Sequence, residues 1–67
     1  MSLTNDVRTL RKAAGWTQAE LAERCDVSRQ TIIAIERGKY EPSLSLAFVL
    51  ARIFDKPIEH IFTEAEE

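Results

Sequence analysis

Between Ser28 and Gly38 lies the segment RQTIIAIER, with two arginines, a glutamine and a single carboxylate. On a helical wheel at about 100° per residue, Ile32 and Ile35 share one side and Glu36 turns toward it. The opposite side collects Gln30, Ala34 and Arg37, flanked by Arg29 and Ile33. An arginine fork matches the O6 and N7 of guanine, a glutamine amide matches the N6 and N7 of adenine, and an apolar side chain fits the thymine methyl. Arg29 and Gln30 at the start of such a helix also favour a nearby phosphate. Nine residues of this composition fit two readings. One is a solvated face of ordinary polar residues; the other is a face that reads base edges.

Other chemistry is poorly supplied. Cys25 falls on the apolar side of its segment and reads as a core thiol rather than a redox sensor. His60 has no metal-ligating neighbours, and no Ser/His/Asp set, Cys/His set or glycine-rich phosphate loop is present. Glu64, Glu66 and Glu67 form a paired-acid site only on paper, because a terminal tail does not hold carboxylates at catalytic spacing. Trp16 can stack on a base, but its place just before a helix favours a packing role. The chain is read as a non-enzyme that needs no cofactor and no metal.

The elements that must position the arginine-glutamine face are short helices. Gly15, Gly38, Pro42 and Pro57 divide the chain into segments of helical length. A first helix is predicted over Thr4–Ala14, with Val7, Leu10 and Ala14 as its apolar stripe and Gly15 as its left-handed terminator. Thr17 and Glu20 form a capping box for a second helix ending near Cys25, with Trp16 and Leu21 as its hydrophobic staple. Ser28 caps a third helix over Arg29–Arg37, with Val27 and Ile32 as a second staple. Asp26 and Val27 alone separate the second helix from that cap, which forces a large crossing angle. Ser43 opens a fourth helix with Leu46, Val49, Leu50 and Ile53 at helical spacing, and Pro57 opens a last turn holding Ile58, Ile61 and Phe62. The fold class is therefore all-α, a bundle of four to five short helices. It makes one domain over residues 1–67, with a core of about 4–62 and a fraying acidic tail at 63–67.

The segment TQAELAERCDVSRQTIIAIERGK, Thr17 to Lys39, resembles the helix-turn-helix of the phage repressor and Cro-type family, or lambda repressor-like fold. Gln18, Ala22, Val27, Ser28, Ile32, Ile35, Glu36 and Gly38 stand at the family's spacing. The similarity runs over about Arg8–Phe62, including the YEPSL stretch, and is to short, stand-alone members. One departure is Asp26, where the family usually has glycine. Aspartate tolerates a left-handed backbone better than most residues. The resemblance implies that Arg29, Gln30 and Ile33 enter the major groove with Ala34 close by. It places Gln18, Ser28, Thr31, Arg37, Lys39 and Tyr40 on the flanking DNA backbone. It also implies that Arg11 pairs with Glu36 between helices while facing phosphate. Pairing of the chain before Arg8 with Phe62–Thr63 is compatible with it.

Charge and size complete the expectation. The net charge is −2, but residues 1–40 hold seven Lys/Arg against five Asp/Glu, while residues 41–67 hold two against six. A local field rather than the total decides where a polyanion docks. No apolar run approaches the ~18–20 residues of a membrane span, and no secretion signal is visible, so no membrane is expected. A lone cysteine fits a reducing cytoplasm. The expected function is a sequence-specific DNA-binding transcriptional regulator, a repressor in the leading version. It acts as a homodimer on a pseudo-palindromic operator through double-stranded DNA. Ile58, Ile61 and Phe62 are the expected dimer contact, being too apolar for one short turn to bury. An antitoxin or a restriction-modification controller is the nearest alternative, and a protein-interaction module that has lost DNA binding is the alternative from another class. With no separate sensing segment expected, a signal would arrive through abundance, an unknown protein partner or dimer stability.

Overall fold

Capping explains most of the helix boundaries. In a computed structural model that describes residues 2–65, the order is β1 (Ser2–Asn5), α1 (Val7–Ala13), α2 (Gln18–Cys25), α3 (Arg29–Glu36), α4 (Leu44–Phe54), α5 (Ile58–Ile61) and β2 (Phe62–Ala65). Thr17 Oγ1 accepts from the Glu20 amide at 3.1 Å, and Glu20 Oε1 accepts from the Thr17 amide at 2.9 Å, the reciprocal pair of a capping box. Ser28 and Ser43 each accept through Oγ from the third residue of their helices, the Thr31 and Leu46 amides, at 3.2 Å. α2 and α4 both end on an aspartate in the left-handed region, Asp26 at φ 58° and Asp55 at φ 54°. The Val27 amide then reaches back to the Ala22 carbonyl at 3.0 Å, and Lys56 to Ala51 likewise, which satisfies carbonyls the helix end would orphan.

The helices close over Val7, Leu21, Ile32, Ile35, Leu50 and Ile61, all fully buried, with Ala22, Cys25, Leu46, Ala47 and Phe62 around them. Cys25 is a buried thiol whose pKa burial pushes up, which makes it a poor nucleophile.

The bundle of short helices is as expected, and at the chain ends the pairing that the resemblance accommodates is present as a small two-stranded sheet. β1 and β2 pair antiparallel, with Asn5 opposite Phe62 and Thr4 opposite Thr63. Thr4 and Asn5 therefore belong to a strand rather than to the first helix. The N-cap of α1, Asp6, makes no side-chain capping bond; the first helical amide, of Val7, is instead met at 3.1 Å by Oδ1 of Asn5. Its Nδ2 donates to the Ile35 carbonyl at 2.9 Å and ties this junction to the end of α3. Thr63, Glu64 and Ala65, read as part of a fraying tail, lie in β2; residues 66 and 67 lie outside the described residues. The expected apolar stripe of α1 also shortens, since Ala14 is exposed and only Val7 and Leu10 face inward.

Candidate nucleic-acid interface

α2 and α3 are joined by the three residues Asp26, Val27 and Ser28, so α3 is presented across α2 with its first turn outward. Arg29 and Gln30 are exposed there, and Thr31, Ile33 and Ala34 are half-buried. Ile32 and Ile35, on the other side of the helix, are fully buried. The exposed side thus contains no carboxylate. Arg37, Lys39 and Tyr40 follow the end of α3 and are all exposed. Ser28 is exposed, but its hydroxyl is already occupied by the Thr31 amide and the Thr31 hydroxyl, the latter at 3.0 Å.

Arg11 is the one buried charged residue among those described, 8 % exposed. Its Nε donates to Glu36 Oε2 at 2.7 Å and its Nη2 to Glu36 Oε1 at 3.2 Å, a fork-to-carboxylate pair linking α1 to α3. Its Nη1 donates to the Trp16 carbonyl at 2.8 Å, fixing the α1–α2 turn. Gln18 Nε2 donates to Glu36 Oε1 at 3.2 Å, so three elements converge on one carboxylate. Burial pushes the Glu36 carboxyl up, but the hydrogen bonds from Arg11 and Gln18, with the charges of Arg11 and Arg8, outweigh it and hold the pKa below the ordinary value. Three guanidinium nitrogens of Arg11 are thus engaged within the protein, while the residue still borders the cleft between α1 and α3.

These residues floor a cleft of about 720 Å³ between α1, the start of α2 and α3. Arg8, Arg29 and Arg37 stand around it, and Thr17 and Gln18 form the α2 wall. Arg8 was missing from the residues picked out by sequence; its only signal was a place one turn before Arg11 on the same helix face. Trp16 sits apart, with the Arg24 guanidinium 4.2 Å above its ring and Phe54 5.9 Å away between centroids. It is a half-buried packing residue rather than a base-stacking one.

The expected dimer contact is corrected in part. Ile61 is fully buried and Phe62 is 9 % exposed within a single chain, both as members of its hydrophobic core. Ile58 is half-buried and lines an apolar groove of about 610 Å³ with Leu3, Pro42, Leu44 and Ala47.

A family model described as helix-turn-helix matches residues 7–61. The chain belongs to the Cro/C1-type helix-turn-helix family. Members of this family are DNA-binding transcriptional regulators rather than enzymes, and the chain is a regulator of this type. It is 52 % identical over 60 residues to an uncharacterized HTH-type transcriptional regulator of Methanocaldococcus jannaschii, covering 90 % of this chain and 91 % of that one. It is 36 % identical over 66 residues to the competence pilus inhibition repressor of Acinetobacter baylyi, covering 98 % of this chain and 60 % of that one. Among solved structures it resembles the restriction-modification controller protein C.AhdI of Aeromonas hydrophila, with TM-score 0.73 and 31 % identity, covering 81 % of this chain and 82 % of that one. In this Cro/C1-type chain α2 and α3, joined by three residues, lie within the matched helix-turn-helix region.

Proposed function

We propose that this Cro/C1-type regulator is a sequence-specific repressor that binds a pseudo-palindromic operator as a homodimer in the cytoplasm. The observation that carries the reading is the exposed first turn of α3, where Arg29 and Gln30 project with no carboxylate beside them. The first turn of a recognition helix goes deepest into the major groove. Arg29 and Gln30 contact base edges, with Ile33 and Ala34 against a thymine methyl or the groove wall. Gln18, Ser28, Thr31, Arg37, Lys39 and Tyr40 flank the helix and hold the backbone, fixing register rather than sequence. Arg11 contributes indirectly, by fixing Glu36 and with it the angle of α3.

Two copies are needed because one recognition helix covers a single half-site, and operator half-sites lie about one turn, ~34 Å, apart. The groove around Ile58, Leu3 and Leu44 is the surface that supplies the contact, with Ile61 and Phe62 supporting it from inside. Repression is favoured by the similarity to a competence pilus inhibition repressor. A second reading, control of a restriction-modification system, is favoured by the similarity to C.AhdI.

Selection of bound duplexes from a random pool tests the proposal and yields the operator. Gln30→Ala should then cost ~1–3 kcal/mol on the selected duplex and much less on a scrambled one. Equal losses on both would show that α3 reads no bases. That outcome would favour a protein-interaction module.

A further inference from the structure

We propose that Arg8 of α1 is a DNA-backbone contact, holding a phosphate across the cleft from α3. The inference rests on the DNA-binding reading above and extends the interface to a helix outside the helix-turn-helix. Four arginines and one carboxylate line the cleft. The carboxylate, Glu36, would repel a phosphate if its charge were open to the cleft. It is not open: its side chain is 4 % exposed, and its oxygens accept two hydrogen bonds from Arg11 and one from Gln18. Arg11 and Glu36 cancel, which leaves Arg8, Arg29 and Arg37 as the net charge of the cleft.

Arg8 is the member of that set carried by α1, outside the helix-turn-helix; beyond the field it adds at Glu36 its guanidinium is uncommitted. It is exposed, makes no side-chain hydrogen bond among the described residues, and has no carboxylate oxygen within the 4.0 Å of an ion pair there. It stands one turn from Arg11 on the face of α1 that meets the cleft. Arg29 and Arg37 approach from α3, so Arg8 supplies positive charge from the opposite wall. Three guanidinium groups on two helices around a water-filled cleft attract a phosphate more strongly than any one does on an open surface. The position also differs in kind from that of Arg29, because α1 does not enter the groove and its arginine meets the strand rather than the bases.

Salt-titrated binding to a mixed-sequence duplex and to the selected duplex tests this. Arg8→Gln should make the slope of log affinity against log salt shallower by about 0.9 on both duplexes. Arg8→Lys should keep the slope, and so should Arg52→Gln, whose arginine lies on α4 beside Asp55 and Lys56, away from the cleft. The thermal midpoint of Arg8→Gln should match the parent. An unchanged slope with a lowered midpoint would assign Arg8 to screening Glu36 and overturn the proposal. An unchanged slope and midpoint would overturn it as well. In both cases the parent still binds the duplexes, and the reading as a DNA-binding repressor stands. A parent protein that binds neither duplex would overturn both.

Discussion

Glu36 shows how one residue joins stability to the placement of α3. Its carboxylate is nearly inaccessible, and an unpaired charge there is costly. Removing one partner of a buried pair can cost ~3–5 kcal/mol. Arg11→Ala and Glu36→Ala should each destabilise on that scale, and a double-mutant cycle should show strong coupling; independent effects would mean that water screens the pair. The acid response follows from the lowered pKa of Glu36. Its contribution is full above the ordinary carboxylate pKa and is lost as the pH falls through the lowered folded value. Acid unfolding of the parent should therefore be steeper than that of Glu36→Gln, as followed by circular dichroism. At this scale the sequence was legible where chemistry is local. Arg29, Gln30 and Arg37 could be placed on one helix face by spacing alone, and the structure leaves all three exposed. Asn5 and Arg8 were not legible, because what each faces is the distant helix α3.

Helix ends were the readable feature among elements. Thr17, Ser28 and Ser43 marked the starts of α2, α3 and α4, since a cap is written within four residues. α1 was placed too early because Thr4 and Asn5 pair in β1, and the actual N-cap, Asp6, carries no side-chain capping bond that would mark it. The strands were invisible to local pattern, as the pairing partner of each lies some sixty residues away. The two left-handed aspartates lead to a prediction at this scale. An L-residue in that conformation is disfavoured by roughly 1–2 kcal/mol, less for aspartate, and glycine is free of the penalty. Asp26→Gly and Asp55→Gly should each stabilise the fold by up to ~1 kcal/mol in urea denaturation. The first change also restores the residue usual in the helix-turn-helix turn, so DNA affinity should be retained. A loss of stability would show that the aspartate side chains contribute more than their backbone strain costs.

For the whole molecule, the fold leaves an apolar surface that a single chain does not cover. Leu44, 69 % exposed, lines the groove with Leu3 and Ile58, and Phe48, one turn further along α4, is 50 % exposed. Leu44→Glu should leave the monomer folded, since that side chain is already in water. It should yield monomers by sedimentation at micromolar concentration and weaken binding to a two-half-site operator more than to one half-site. A Leu44→Glu protein that sediments as the parent does would place any self-association elsewhere. The sequence could not say which of the apolar residues around α5 the chain buries itself; Ile61 proved to be core, its carbonyl accepting from the Asp6 amide where the start of the chain returns beside α5.

The same return has a topological consequence. With Ser2 opposite Ala65 and Leu3 opposite Glu64, the backbone runs nearly as a closed ring, held shut by hydrogen bonds alone. Closing such a ring orders a loop of about sixty residues, so the sheet should form late in folding and open early in unfolding. A covalent head-to-tail link of a few residues would make that closure permanent. In the chain-entropy picture it would remove on the order of 4 kcal/mol of freedom from the unfolded state. α3 and the cleft lie outside the sheet, so a circular version should melt at higher temperature yet titrate DNA as the linear protein does.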